Sequence, residues 1–283
     1  MPNLQDIQQA AERIKPYAHR TPVLTNEGLN QRVGAQVYLK CENFQKVGAF
    51  KFRGACNAVY SLSEAEAARG VCTHSSGNHA QALALAARMR GIPAYIVMPN
   101  NAPSVKKNAV AAYGGQITFC EPTLEAREST LERIRLKTGA NVVHPYNDER
   151  VIAGQGTAAL ELLSDVPDLD VIIAPVGGGG LLSGTVIAAK GIKPGIRVIA
   201  GEPEMADDAY RSLQAGQLLP SMNPKTIADG LLTSLGSITF PIVRERVEQI
   251  ITVSEAGIVA AMKFVWERVK IVIEPSSAVA VGV

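Results

Sequence analysis

Residues 171–180 read VIIAPVGGGG. A β-branched apolar run of strand length passes into four consecutive glycines, Gly177, Gly178, Gly179 and Gly180, and a helical pattern starts near Leu181. Glycines there present backbone N–H groups with no Cβ in the way, and the following helix adds its positive end, so the pattern is that of an anion cradle. It is neither G-x-G-x-x-G nor a Walker sequence, because no lysine-serine pair follows. Four glycines would be a costly way to make an ordinary turn.

The same alternation extends in both directions. GVCTHSS (70–76) leads into the helical GNHAQALALAARMRG (77–91), closed by Gly91. PAYIVMP, QITFCEP and RVIAGEP read as further strands; SVKKNAVAAYGG and TLEARESTLERIRLKTGA, the latter begun at Thr123, read as helices. Continuous apolar strands with helices between them predict an α/β fold of parallel sheets covered on both faces. The length of 283 residues predicts two lobes. The smaller is expected over 50–145, inserted into a larger domain formed by 1–49 plus 146–283.

Hydrophobic residues make up 47% and charged residues 19%, a globular balance. With 28 basic against 26 acidic residues and no basic block, binding to nucleic acid or a membrane surface has no electrostatic support. No apolar run is long enough to cross a bilayer, and the amphipathic N-terminus lacks a signal core. The expected class is a cytoplasmic enzyme or binding protein. Cys41, Cys56, Cys72 and Cys120 show no C-x-x-C spacing, which argues against disulfides and zinc, and Cys41 and Cys120 end strand-like runs as small buried hydrophobes.

Two further stretches carry chemistry. In ENFQKVGAFKFRGACNAV (42–59), Lys51 stands between Phe50 and Phe52 near Gly48 and Gly54. It reads either as a surface lysine at a helix start or as a desolvated, nucleophilic amine suited to Schiff-base formation. In THSSGNHAQ (73–81), Ser75, Ser76 and Asn78 gather where a strand gives way to a helix, the edge at which α/β sheets bind ligands. They read as a carboxylate site or as ordinary capping; His74 and His79 read equally as core histidines or site residues.

AFKFRGA, SSGNHAQ and PVGGGGLLSG, in that order and spacing, resemble the fold-type II pyridoxal-phosphate enzymes, tryptophan synthase β-like in fold, and most closely their serine racemase and serine/threonine dehydratase branch. The resemblance continues through IPAYIVMP, VIAGQGT, TIADG and IEPSSAVAV, and GEPEMADDAY is particular to the racemase-like branch. It implies that Lys51 holds pyridoxal 5'-phosphate as a Schiff base, with Phe50 beside the ring and Asn78 on the 3'-oxygen. Gly177, Gly178, Gly179, Gly180 and Leu181 would cradle the phosphate, and Gly230 would let the backbone approach. Ser75, Ser76, Asn78 and His79 would surround the substrate carboxylate. Arg127, which alone reads as a solvated helix residue, would lie near the substrate.

The implied reaction is β-elimination of hydroxyl from serine or threonine, giving a keto acid and ammonia. Lys51 serves as the base, and Ser76, on the opposite face, permits serine racemisation. A 3-hydroxyaspartate ammonia-lyase is the nearest alternative, with Arg127 or His79 meeting the second carboxylate; a non-catalytic amino-acid-binding module is the alternative of another class. EPEMADD reads alone as an acidic surface loop. With the resemblance, Glu202, Asp208 and the Ala206 carbonyl would hold magnesium, calcium or manganese. ATP as an effector is left open: Lys46, Gln81 and Tyr113 stand at matching positions, but Val47 replaces a polar neighbour. A homodimer is implied. Tyr146, in HPYND, departs from the animal racemases and points toward dehydratase behaviour. The family's serine facing the pyridine nitrogen lies beyond AVAVGV, so a chain ending there is expected to retain cofactor poorly.

Overall fold

The structure, a computed structural model, describes residues 1–283. Helix α1 (Leu4–Ile14) begins with a capping box between Asn3 and Asp6 and buries Ile7, Ala10 and Ile14. A two-stranded antiparallel ladder, β1 (Val23–Thr25) with β2 (Tyr38–Lys40), brackets α2 (Glu27–Val33). The sequence pattern does not announce that ladder, because its strands are too short to show a period.

Next come α3 (Lys51–Tyr60), α4 (Glu64–Ala67), β3 (Val71–His74), α5 (Asn78–Arg90), β4 (Ala94–Pro99), α6 (Ser104–Ala112), β5 (Gln116–Cys120), α7 (Leu124–Thr138) and β6 (Asn141–Val142). The four strands form one parallel sheet in the order β5-β4-β3-β6. Helices α3 and α5 close one face with Phe52, Val59 and Leu83, whereas Leu131 of α7 packs on Cys72 and Val97 at the other. Because β5 is an edge strand, Cys120 is only half-buried, unlike the buried Cys41; all four cysteines are free thiols.

The rest of the chain supplies α8 (Glu149–Asp165), β7 (Val171–Pro175), α9 (Gly180–Ile192), β8 (Arg197–Pro203), α10 (Asp208–Ala215), α11 (Thr239–Arg246), β9 (Gln249–Val253), α12 (Glu255–Phe264) and α13 (Pro275–Gly282). Here the parallel order is β7-β8-β9. The α/β architecture of parallel sheets between helices is the expected one. Helix α8 joins the two halves: Val151 belongs to the core under the four-stranded sheet, and neighbouring Ile152 to the core around the three-stranded one. No helix is long and apolar enough to cross a membrane.

Candidate active site

Lys51 is the first residue of α3, and the N-cap residue, Phe50, offers that helix no side-chain hydrogen bond. The chain reaches it through a tight turn in which Val47 (φ 59°) and Gly48 (φ 71°) both take the left-handed conformation. For β-branched Val47 that conformation stores about 1–3 kcal/mol, which the surrounding packing must offset. The Lys51 side chain is half-buried by surface but walled in around its amine, whose Nζ donates to the Pro145 carbonyl at 2.9 Å. The Phe50 ring lies 5.3 Å from Nζ. Burial lowers the Lys51 pKa from 10.5 to about 8, against the opposing pull of the Glu274 carboxylate.

Two residues along the same helix, the fully buried Arg53 guanidinium pairs with Glu42 and Glu161 at 2.8 Å each. Glu42 belongs to the turn before Lys51 and Glu161 to α8, so the ion cluster ties both to the root of α3.

The glycine segment stands at the carboxyl end of β7. Gly179 is the N-cap of α9 with φ 85°, and none of the amides from Gly177 through Leu182 donates to a protein acceptor. A methyl on Gly177 would come 2.9 Å from the Leu231 Cα, and one on Gly178 would overlap the Tyr146 ring. The loop is therefore lined by backbone on one side and by an aromatic wall on the other. Thr239 fixes it: its Oγ1 donates to the Gly178 carbonyl at 2.8 Å and accepts from the Gly236 amide at 2.8 Å. Gly230 donates its amide to Ser276 Oγ at 3.0 Å.

The segment from Ser75 to His79 opens α5 at the end of β3. The amides of Ser76, Asn78, His79 and Ala80 have no protein acceptor and stand as free donors at a helix end of positive partial charge. Asn78 Nδ2 donates to Glu274 Oε2 at 3.0 Å. The His79 ring is buried and its Nε2 donates to the Val143 carbonyl at 3.1 Å. Burial depresses its pKa to about 3, so only its main-chain amide, and no imidazolium, faces the helix terminus. His144 is neutral for the same reason, its pKa lowered to about 4, and its Nδ1 accepts the Asn147 amide at 2.9 Å. Arg127 is half-buried on the first turn of α7, and its Nε is buried with no acceptor.

Glu202 is buried with both oxygens on the α10 amides of Ala209 and Tyr210, at 2.8 Å each. Asp208 is buried with no donor in bonding geometry to either oxygen, although Ser221 and the Leu235 amide stand near. Burial raises the two carboxyl pKa values to about 8 and about 6. No three His, Cys, Asp or Glu side chains are grouped so as to hold a metal ion between them.

The sequence alone assigns no role to Glu274, Thr239, Pro145, Gln155 or Arg53. Only Glu274 carries a signal, the IEP sequence placing it before a proline-started helix. A walled-in amine, free amides in a glycine loop and a second uncapped helix start fit pyridoxal 5'-phosphate: one aldehyde partner, one phosphate cradle, and a place for the substrate's carboxylate.

A family model described as "Pyridoxal-phosphate dependent enzyme" matches residues 14–283. The chain is 54% identical to a beta-hydroxyaspartate dehydratase of Paracoccus denitrificans, covering 99% of this chain and 89% of that one. It is 55% identical to a serine racemase of Dictyostelium discoideum, covering 97% and 86%. The structure of a maize serine racemase superposes with a TM-score of 0.97 at 47% identity, covering 99% and 85%. That of a threonine deaminase isoform from Solanum lycopersicum superposes with a TM-score of 0.94 at 35% identity, covering 99% and 77%.

Proposed function

The chain belongs to the pyridoxal-phosphate-dependent enzymes, and from that membership we propose that it is a dehydratase of small hydroxy amino acids. Serine and threonine would yield a keto acid and ammonia, with serine racemisation as a companion activity. The observation that carries the reading is a buried lysine amine bonded to the Pro145 carbonyl, whose neighbour Tyr146 lies against the glycine loop, with His79 of the second uncapped helix start close enough to feel the lysine's charge. When bound, the cofactor supplies an electron sink that acidifies the substrate α-hydrogen.

The chain's residues do the rest. The Lys51 amine would hold the cofactor's aldehyde and would take the substrate α-proton; a base with a pKa of about 8 is matched to neutral pH. Phe50 would flank the ring, Asn78 would serve the 3'-oxygen, and Gly177, Gly178, Gly179, Gly180 and Leu181 would hold the phosphate with their amides. Gly230 keeps the neighbouring loop close. Ser75, Ser76, Asn78 and the His79 amide take the substrate carboxylate, and Ser76 holds the proton whose return from the opposite face gives racemisation. The lobe boundaries proposed with this site are 50–145 for the smaller and 1–49 plus 146–283 for the larger.

A second reading has its own observation. The Arg127 Nε is buried with no acceptor, which suits a substrate with a second carboxylate, as in 3-hydroxyaspartate. Incubating the protein with serine, threonine and 3-hydroxyaspartate, and resolving the enantiomers of recovered serine, separates the readings. Keto acid from serine and threonine supports the first; oxaloacetate as the dominant product supports the second; no keto acid and no change of chirality refutes both.

A divalent cation, magnesium first, is proposed at Glu202, Asp208 and the Ala206 carbonyl. The bare Asp208 oxygens support it, and with only two carboxylates water must complete the shell. ATP as an effector stays open at Lys46, Gln81 and Tyr113; the Lys46 amine lies over the Phe52 ring at 5.7 Å and Arg88 over the Tyr113 ring at 5.8 Å. A homodimer in the cytoplasm is proposed on the resemblance alone.

A further inference from the structure

The segment VIAGQGT (151–157) of α8 has no part in the chemistry above, yet it lies between the two helices that do. On one side it meets α3, which begins at Lys51. A methyl on Gly154 would stand 2.5 Å from the Gly54 Cα, and one on Gly54 would stand 2.8 Å from the Val151 carbonyl oxygen. On the other side it meets α9, which begins at the glycine cradle. A methyl on Gly184 would stand 2.5 Å from the Gly156 amide nitrogen and one on Gly156 would stand 2.8 Å from the Gly184 carbonyl oxygen. Backbone thus lies on backbone across three helices, and nothing flexible intervenes between the amine's helix and the cradle's helix.

Gln155 sits between those two glycine contacts and is fully buried. In the first turn of α3 the Phe50 carbonyl takes the Arg53 amide at 3.0 Å, and no bond runs to it from the Gly54 amide. Gln155 Oε1 accepts that amide instead, at 3.1 Å. A residue of α8 therefore supplies the cap that α3 lacks. The other end of the same side chain, Nε2, is buried with no acceptor. Burying an amide with one end unsatisfied opposes folding, and that penalty offsets what the Gly54 bond contributes; an apolar side chain would remove the unpaired Nε2 but leave the Gly54 amide unpaired in its place, so the exchange is close to neutral.

We propose that Gln155 is a positioning residue: it fixes the first turn of α3, and with it Lys51, relative to the phosphate cradle, at no net gain in stability. The inference rests on Lys51 being the residue that takes the cofactor.

The test uses the full chain stripped of cofactor and then given pyridoxal 5'-phosphate. Two quantities are read: the rate at which a borohydride-fixed pyridoxyl label appears on the Lys51 peptide, and the thermal midpoint. Gln155→Met is expected to slow labelling on the order of 10- to 100-fold, as misplacement of a reacting group does, while the midpoint stays within about 3 °C of wild type. Leu162→Ala, a core deletion further along α8, is expected to lower the midpoint without slowing labelling. Gln155→Leu takes the place of the methionine variant if that one does not fold. Unchanged labelling in the folded Gln155 variant overturns the positioning role. A wild-type chain labelled elsewhere, or not at all, overturns the cofactor reading and this inference with it.

Discussion

The Lys51 amine donates to the Pro145 carbonyl oxygen across 2.9 Å, so a residue at the start of α3 is held by the strand-to-helix connection that precedes α8. This contact positions the amine while burial disfavours its charge. The folded pKa is lowered from 10.5 to about 8. Between those values the unfolded chain binds more protons than the folded one, so stability rises with pH across that window and the burial penalty is present in full below pH 8. The rate of pyridoxal 5'-phosphate capture is expected to climb roughly tenfold per pH unit and level off near pH 8; a profile still climbing toward 10.5 would contradict it. Lys51→Met is expected to capture nothing and to match or exceed wild-type stability at about pH 7.

Glu274 is the one charge that opposes this shift, since its carboxylate favours the ammonium form. Glu274→Gln keeps an acceptor oxygen for Asn78 Nδ2 but removes the negative charge. The capture profile should therefore move to lower pH, with the Asn78 contact intact. A profile that moves up, or stays in place, shows that Glu274 does not act on the lysine electrostatically.

Glycine at 178 is required by an aromatic ring. A methyl there would overlap the Tyr146 side chain, and Gly180 would put one 2.9 Å from the Tyr146 Cβ. Gly178→Ala is expected to destabilise by about 1–3 kcal/mol and to weaken pyridoxal 5'-phosphate binding, because either the ring or the loop amides must move. In a Tyr146→Ala background the same substitution should be milder, leaving a coupling of about 1 kcal/mol or more. Strictly additive effects, measured by denaturant unfolding, would show that the clash is relieved elsewhere.

The parts of this site visible in sequence are those whose requirement is local. Four glycines after a strand need no partner to be read as a cradle, whereas a lysine between aromatics leaves a surface and a desolvated reading open until the packing around its amine is seen. The parts not visible arrive through packing. Thr239 braces Gly178 from a helix 61 residues away, Gln155 caps Gly54 from 101 residues away, and Glu274 meets Asn78 across 196. His79 has the residue type of a site group, but only the packed structure shows its ring bonded to Val143. The β5 pattern likewise suggests a buried thiol, and only the strand order reveals that Cys120 lies on an edge.

Asp208 offers the sharpest test of the proposed cation. Its two oxygens are buried with no donor in bonding geometry. Glu202, whose own oxygens are satisfied by two amides, stands close enough that the Asp208 charge helps to raise its pKa. A divalent cation would relieve that repulsion and would bind the folded chain alone. At about one hundred times its dissociation constant, magnesium should add about 2.7 kcal/mol, a rise of about 5–10 °C in the thermal midpoint, reversed by a chelator. Asp208→Asn should erase the magnesium effect and yet raise the midpoint of the metal-free chain, because it removes a buried charge that nothing pairs. If magnesium stabilises Asp208→Asn as strongly as wild type, the ion binds elsewhere and the two buried carboxyls hold no metal.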